Sequence, residues 1–302
     1  NGFGVEDSTS APTVQTDQKT STSSGPYMVP KGMDVKLHVD VNKVLLGYDS
    51  AQNVLGNVYV KNGLLVLEDV RLSTSAARMQ LTSIYKTPRK NHLYLGIDFH
   101  MMDMEISELL KMIPDIDTIM PMLRSFSGKG EFHIAVETYL DSMYNLKTST
   151  LRGVSSIKGE NLVLMDGETF SEIAKTLNFN KKAENKVDSL SAEFTILRNE
   201  VDIYPFLIVM DKYKAVVAGR HNLDMSFDYH ISITDSPLPV KLGVNVKGTM
   251  DELMNSPMKC IRPAKCKYAN LYRPASRNEI GKKQLEIRQK IRESLLTGVI
   301  NP

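Results

Sequence analysis

Apolar residues occupy every second position in strand-length stretches throughout this chain. Because successive side chains of a β-strand point to opposite faces, each such strand has one apolar face and one polar face. The clearest run comprises Leu223, Met225, Phe227, Tyr229, Ile231 and Ile233, which alternate with polar residues. The alternation recurs at Val35–Val41, Leu93–Phe99, Phe132–Val136 and Val240–Val246. The pattern predicts a mainly β fold, with an antiparallel sheet that carries one continuous apolar face.

An apolar face of this size has to be covered. It can pack against a second sheet, close on itself, or hold an apolar molecule that is not protein. Turn chemistry at Lys61–Gly63 and at Thr87–Asn91 places two of the connections between strands.

The period changes to that of a helix in four places. Ile106, Leu109 and Ile113 follow Asp103, which is predicted to cap a helix that ends at Pro114. A second short helix is predicted over 116–123. A third begins at Thr169, which with Glu172 forms a capping-box pattern.

The last predicted helix spans Ser276–Leu296 and has a narrow apolar stripe flanked by lysine and arginine. A basic amphipathic helix can lie on an anionic membrane surface. The stripe lacks large aromatic residues, which favours the alternative that this helix docks on the sheet.

Three segments follow from these patterns. Residues 1–30, rich in Ser and Thr, are predicted to be a disordered linker, because they have too little apolar surface to order themselves. Residues 31–255 form the β domain. Residues 256–302 form a proline-rich loop and the C-terminal helix.

The composition excludes several classes of function. A net charge of +2 over 302 residues is too small to favour nucleic acid as a partner. No phosphate-binding loop, nucleophile elbow or metal-binding motif occurs, so we expect no enzyme activity, no cofactor and no metal. Three histidines, at His38, His133 and His230, fall on polar strand faces and are expected to be solvated.

The cysteines Cys260 and Cys266 bracket a proline-containing loop. Their spacing does not fit Cys-x-x-Cys redox chemistry, and no histidine is near enough in sequence to complete a zinc site. They are either a disulfide that closes a small loop or two unrelated thiols. A disulfide would indicate an oxidising compartment.

Several glycine-and-apolar motifs lie between Gly32 and Gly248: Leu151-Arg152-Gly153, Ile157-Lys158-Gly159, Met165-Asp166-Gly167-Glu168-Thr169-Phe170, Ile203-Tyr204-Pro205-Phe206, Gly219-Arg220-His221-Asn222-Leu223-Asp224 and Phe227-Asp228-Tyr229. Together these motifs resemble the C-terminal region of AsmA-like proteins. The helical passage from Asp103 to Leu123 and the Gly128-Lys129-Gly130 that follows it are also similar.

The resemblance implies a fold and a function. AsmA-like proteins belong with TamB and the bridge-like lipid transfer proteins. An N-terminal helix anchors them in the inner membrane of Gram-negative bacteria, and their elongated, twisted sheet curls into a U-shaped apolar groove in the periplasm. By resemblance this chain is a C-terminal fragment without the anchor, and it binds or conducts phospholipid or another envelope lipid between inner and outer membrane.

On this interpretation the apolar strand positions line the lipid groove. The residues expected to line it are Leu93, Leu95, Ile97, Phe99, Phe132, Ile134, Leu223, Met225, Phe227, Tyr229, Ile231 and Val244. A periplasmic location also favours the disulfide between Cys260 and Cys266, and a protein of the envelope is an expected further partner. Two alternatives stay open: a non-conducting scaffold of outer-membrane assembly whose sheet is filled by its own helices, and an extracellular hydrolase or adhesin domain built as a sandwich.

Overall fold

A computed structural model describes residues 25–46, 49–112, 126–164, 186–210, 213–224, 226–236, 241–268 and 279–297. Its centre is one open, antiparallel sheet of thirteen strands, in which each strand pairs with the next along the chain. The mainly β fold class is therefore confirmed, and the sheet does not close on itself.

The strands are β1 (Asp34–Leu46), β2 (Asp49–Lys61), β3 (Leu64–Ser73), β4 (Arg78–Arg89), β5 (His92–Glu105), β6 (Phe126–Leu140), β7 (Arg152–Leu164), β8 (Lys186–Leu197), β9 (Glu200–Met210), β10 (Tyr213–Asn222), β11 (Ser226–Asp235), β12 (Leu242–Thr249) and β13 (Ile261–Lys265). The described helices are α1 (Ile106–Met112), α2 (Met250–Asn255), α3 (Pro257–Cys260) and α4 (Glu279–Thr297), with a single 3₁₀ turn at Thr148–Thr150.

Short turns join neighbouring strands where the sequence provides residues that tolerate a left-handed backbone. Asn62 and Gly63, with φ of 43° and 82°, connect β2 to β3 at the predicted turn. The second predicted turn is shorter than expected: β4 continues through Arg89, and only Lys90 and Asn91 form the turn.

Bulges interrupt several strands, all near the same end of the strands. Asn53, Asp69, Asp103 and Asn161, in β2, β3, β5 and β7, all have positive φ, and the pairing register shifts beside each of them. A bulge bends its strand and increases the local twist. Asp103 lies in such a bulge, where its carboxylate accepts a hydrogen bond from Arg78 Nε at 2.6 Å, so the prediction that it caps α1 is wrong.

Two of the predicted segment boundaries differ from the structure. For residues 25–30 the prediction of disorder is wrong, because Val29 is buried and its N–H donates to Thr87 Oγ1 at 3.1 Å. The boundary predicted at 255 falls between β12 and β13, which pair within one sheet. The helices predicted over 116–123 and from Thr169 lie outside the described residues.

Helix α4 lies on the sheet, as the docking alternative predicted. Ile287 and Ile291 are buried against Leu64, Val66 and Ile84. At the end of α4, the Lys61 ammonium donates to the Leu295 carbonyl at 2.8 Å, which satisfies one of the last free carbonyls of the helix. No helix in the described ranges is both long enough and apolar enough to span a membrane.

Candidate functional site

The two faces of the sheet differ in chemistry except beneath α4, where Leu64, Val66 and Ile84 share a face with Glu137. We call the face that carries Phe99 the apolar face and the face that carries Asp98 the polar face. Strand pairing connects one residue per strand into a row on the apolar face that crosses eleven strands. This apolar row comprises Val70, Leu81, Phe99, Ile134, Ser155, Phe194, Ile203, Gly219, Tyr229, Val246 and Ile261.

Only Ser155 and Gly219 interrupt the apolar character of this row. The position of Gly219 cannot accommodate a side chain, because a Cβ would lie 2.4 Å from the Asp228 carbonyl oxygen and 2.6 Å from the Tyr229 ring. Neighbouring strands are about 4.8 Å apart, so the ten steps of the row cover about 48 Å. The neighbouring row on the polar face contains Thr82, Asp98, Ala135, Val154, Thr195, Asp202, Arg220, Asp228 and Lys247.

Three apolar clusters cover parts of the apolar face. Ile106 and Leu109 of α1 pack on Met101 and Met104 near one end of the strands. Val29 packs on Tyr85, Leu93 and Leu140 near the opposite end of the strands. At the C-terminal end of the sheet, Phe227, Ile233, Val244, Val246 and Ile261 pack together, with Leu253 of α2 against them.

The middle of the apolar face lies between these clusters and is only half-buried. The residues there that belong to none of the clusters formed by the described residues are Ile97, Ile134, Val136, Phe194, Ile196 and Ile203. The accessible apolar surface therefore runs across the strands. Over β4–β6 it lies between the α1 cluster at one end of the strands and the Val29 cluster at the other.

Ten of the predicted lining residues lie in strands on the apolar face: Leu93, Leu95, Ile97, Phe99, Phe132, Ile134, Phe227, Tyr229, Ile231 and Val244. They are not equally accessible, since Leu93 and Val244 are fully buried and Phe227 is 6% exposed. The role of these residues as a lipid groove stays a prediction.

Leu223 and Met225 were predicted to continue the same strand. For Leu223 this is wrong, because it lies in the turn before β11 and is exposed. The Asp224 carboxylate makes this turn by accepting from the Ser226 N–H at 3.0 Å and from its hydroxyl at 2.7 Å. Met225 lies outside the described residues.

The polar face holds a cluster of charged groups beneath α4. Lys283 Nζ donates to Glu137 Oε1 at 2.8 Å, Tyr94 donates to Glu137 Oε2 at 2.8 Å, and Lys290 also pairs with this carboxylate. Burial acts to raise the pKa of Glu137, but the hydrogen bonds from both lysines and Tyr94 outweigh it and lower the pKa to about 2.

Further ion pairs and hydrogen bonds join α4 to the same face. Arg288 Nη2 lies 2.8 Å from Asp69 Oδ1, and this hydrogen bond lowers the pKa of Asp69. Gln284 donates to Asp98 Oδ2 at 2.8 Å, while Asp98 Oδ1 lies 2.7 Å from His133 Nε2. These contacts orient α4 on the sheet.

Two of the three histidines expected to be solvated are covered. The His133 side chain is 11% exposed and lies against Asp98, which also accepts a hydrogen bond from Gln284 of α4. His230 is 6% exposed, with hydrogen bonds to Asn245 at 2.7 Å and Ser232 at 2.9 Å. Residues Lys267 and Tyr268 cross the polar face at that point, and their N–H groups donate to Ser232 Oγ. His38 is exposed, as predicted.

The two cysteines are free, and the predicted disulfide between Cys260 and Cys266 is absent from this structure. The loop expected between them is β13, an extended strand that pairs with β12. The four residue steps of β13, at about 3.3 Å each, separate its ends by about 13 Å, whereas a disulfide needs α carbons less than about 7 Å apart. Burial raises the pKa of the Cys260 thiol.

Comparison with known proteins does not identify the chain. No family model matches it, and neither a curated protein nor a solved structure does. Within the described ranges, no group of three His, Cys, Asp or Glu side chains is placed to hold a metal ion.

Proposed function

We propose that this chain is a lipid-binding module, whose half-buried apolar row holds the acyl chains of phospholipid or a related lipid. In this proposal it is the periplasmic part of an inner-membrane-anchored AsmA-like protein and conducts lipid between the two membranes during envelope biogenesis. The sequence resemblance supports the family and the compartment. The apolar row supports the ligand class. The proposal assigns the chain no catalytic step and no cofactor.

The direction of the row favours an acyl chain over a peptide. The strands of the row pair with neighbours on both sides, except β13 at the edge of the sheet. The backbone N–H and C=O groups beneath the row therefore form their hydrogen bonds within the sheet. A peptide lying across the strands would find no backbone partners there, and its own N–H and C=O groups would lose water without compensation. An acyl chain has no such groups.

The energy of transfer is of a suitable size. Covering a methylene is worth about 0.8 kcal/mol, so ten methylenes gain on the order of 8 kcal/mol. A bilayer offers the same chain a comparable gain. A lipid can therefore move between bilayer and row without a large change in free energy, as a conduit requires.

One observation favours the scaffold alternative. Val246 and Ile261, the last two residues of the row, are buried in a cluster with other parts of the same chain, so the row is occupied by protein at its C-terminal end. If protein covered the whole row, the sheet would be a structural element of outer-membrane assembly and would carry no lipid.

A charge in the middle of the row separates the two functions. Ile134 is half-buried in β6, and we expect Ile134→Asp to remain folded while it loses bound lipid, because water can reach the new carboxylate. The purified chain is incubated with vesicles of phosphatidylethanolamine and phosphatidylglycerol, re-isolated, and examined by native mass spectrometry, with its melting temperature measured in parallel. Leu285→Asp is the matched control, since Leu285 is 69% exposed on α4 and lies off the row.

Wild type and Leu285→Asp should both carry phospholipid. Failure of the wild type to retain lipid, or retention of lipid by Ile134→Asp, would contradict the proposal. An Ile134→Asp chain that does not fold would indicate an unpaired charge in a filled interior and would support the scaffold.

A further inference from the structure

The two edges of the sheet are built differently. The edge strand β13 has five residues, and Pro263 at its centre has no N–H to offer a further strand. Arg262 and Lys265 add charge to this edge. Short length, proline and charge are the features by which natural sheets prevent an edge from pairing with another chain.

The edge strand β1 lacks two of these features, short length and proline. It has thirteen residues without proline or glycine, and in the described part of the chain it pairs on one side only, with β2. Its apolar side chains are unusually accessible, with Leu37 54% and Leu45 78% exposed. A long, regular edge with exposed apolar side chains is a template for a further strand.

The sequence of β1 is complementary to itself in one antiparallel register. If His38 lies on a twofold axis, Lys36 of each copy is directly opposite Asp40 of the other, which gives two ion pairs on the polar face. On the apolar face Leu37 is then opposite Val39, and Val35 is opposite Val41. Opposite charges and β-branched pairs at directly opposed positions both stabilise antiparallel strands.

Within one chain these charges face uncharged residues across the β1–β2 ladder. Lys36 is paired in register with Tyr59, and Asp40 with Leu55. The Lys36 ammonium lies 5.3 Å from the centre of the Tyr59 ring. Its opposed residue within the chain carries no carboxylate, whereas in the dimer the opposed residue would be Asp40 of the second copy.

We propose that β1 pairs with β1 of a second copy, antiparallel and centred on His38, so that two thirteen-stranded sheets join into one. A twofold axis normal to the sheet keeps the apolar faces of both copies on the same side. Strand pairing alone buries less surface than a standard stable interface, so the dimer should form reversibly and depend on concentration. The pairing does not rest on lipid binding, because β1 lies outside the apolar row.

A charge swap tests the partner and the register together. Sedimentation velocity of the wild-type chain over a range of concentrations should show a monomer–dimer equilibrium. Asp40→Lys places Lys36 opposite a lysine twice and should raise the dissociation constant about tenfold or more. The double variant Lys36→Asp/Asp40→Lys restores opposite charges at both positions and should return the dissociation constant to near the wild-type value.

A wild-type chain that stays monomeric at every soluble concentration would overturn the proposal, and would leave β1 to a segment of some other polypeptide. A dimer that Asp40→Lys does not weaken, or that the double variant does not restore, would equally overturn it, since the copies would then meet elsewhere.

Cysteine cross-linking checks the register independently. In a Cys266→Ser background, His38→Cys places one thiol from each copy opposite the other at the axis, and mild oxidation should give a covalent dimer. Leu45→Cys is the control, because Leu45 is also exposed on β1 but its counterpart in this register is residue 31. Efficient cross-linking through position 45, or none through position 38, would contradict the proposed register.

Discussion

At the scale of single residues, Glu137 is the most strongly held charge on the polar face. Its side chain is largely buried, and it accepts hydrogen bonds from Tyr94, Lys283 and Lys290, which lie on the sheet and on α4. Burying a charge costs little free energy while all of its partners are present. Loss of the central carboxylate charge leaves the surrounding buried cations uncompensated. Glu137 therefore links the attachment of α4 to its own ionisation.

This linkage predicts a loss of stability in acid. The ordinary pKa of a glutamate, about 4.3, applies to the unfolded chain, while the folded-state pKa of Glu137 is about 2. Stabilisation from Glu137 should be complete above about pH 4.3 and should disappear between about 4.3 and 2, because the unfolded chain takes up the proton first.

Thermal melts across this pH range, on wild type and Glu137→Gln, measure the effect. The difference in melting temperature between them should be large at pH 7 and should shrink as the pH falls below about 4.3. Glu279→Gln is the control, because Glu279 pairs with Lys282 at an exposed position, and such a pair contributes little to stability. A difference that stays constant down to pH 2 would contradict the linkage.

Alternation predicted which face each strand residue would occupy, but it could not predict what lies across that face. Ile97 and Ile134 are on the apolar face, as their spacing indicated. His133 and His230 are on the polar face, yet both are covered by segments far away in sequence. A period of two specifies the direction of a side chain and contains no information about its long-range neighbours.

At the scale of elements, α4 attaches through a narrow apolar stripe and a surrounding set of charges. Ile287 and Ile291 supply the buried contacts, while Leu285 and Leu296 face away from the sheet. The narrow stripe is sufficient because Arg288, Lys283 and Lys290 meet Asp69 and Glu137 beside it.

The stripe predicts unequal effects of two similar substitutions. Ile287→Ala should lower the free energy of unfolding by about 2–4 kcal/mol, since it removes buried methyl groups from a packed contact. Leu285→Ala should change it by no more than about 0.5 kcal/mol, because that side chain is exposed. Urea denaturation of both variants provides the comparison, and equal effects would show that α4 does not dock through this stripe.

Some elements had sequence signals and others did not. Thr249 and Glu252 form the capping box of α2, a pattern that was present in the sequence and was overlooked. The strand β13 could not be predicted by pattern, because Arg262, Pro263 and Lys265 are unfavourable in a strand interior. It forms because an edge strand needs partners on one side only.

At the scale of the whole molecule, the sheet order is the simplest one possible, with every strand beside its neighbours in sequence. The sequence predicted one sheet with a continuous apolar face, and the structure confirms the open antiparallel sheet. The apolar row itself could not be predicted, because bulges at Asp69 and Asp103 shift the register between strands. Those shifts decide which residues become neighbours across eleven strands.

The most direct test of the lipid assignment asks which face of the sheet touches acyl chains. A photo-reactive amino acid, p-benzoylphenylalanine, is placed at Phe194 and Ile203 in the row, and in separate variants at Glu193 and Asp202. Each control is adjacent in sequence, half-buried and on the polar face.

After incubation with phospholipid vesicles and irradiation, mass spectrometry counts lipid adducts for each variant. If lipid lies along the apolar row, adducts form at positions 194 and 203, and few or none form at 193 and 202. Equal labelling of both faces, or labelling confined to the polar face, would contradict the claim that the apolar row is the path of the lipid.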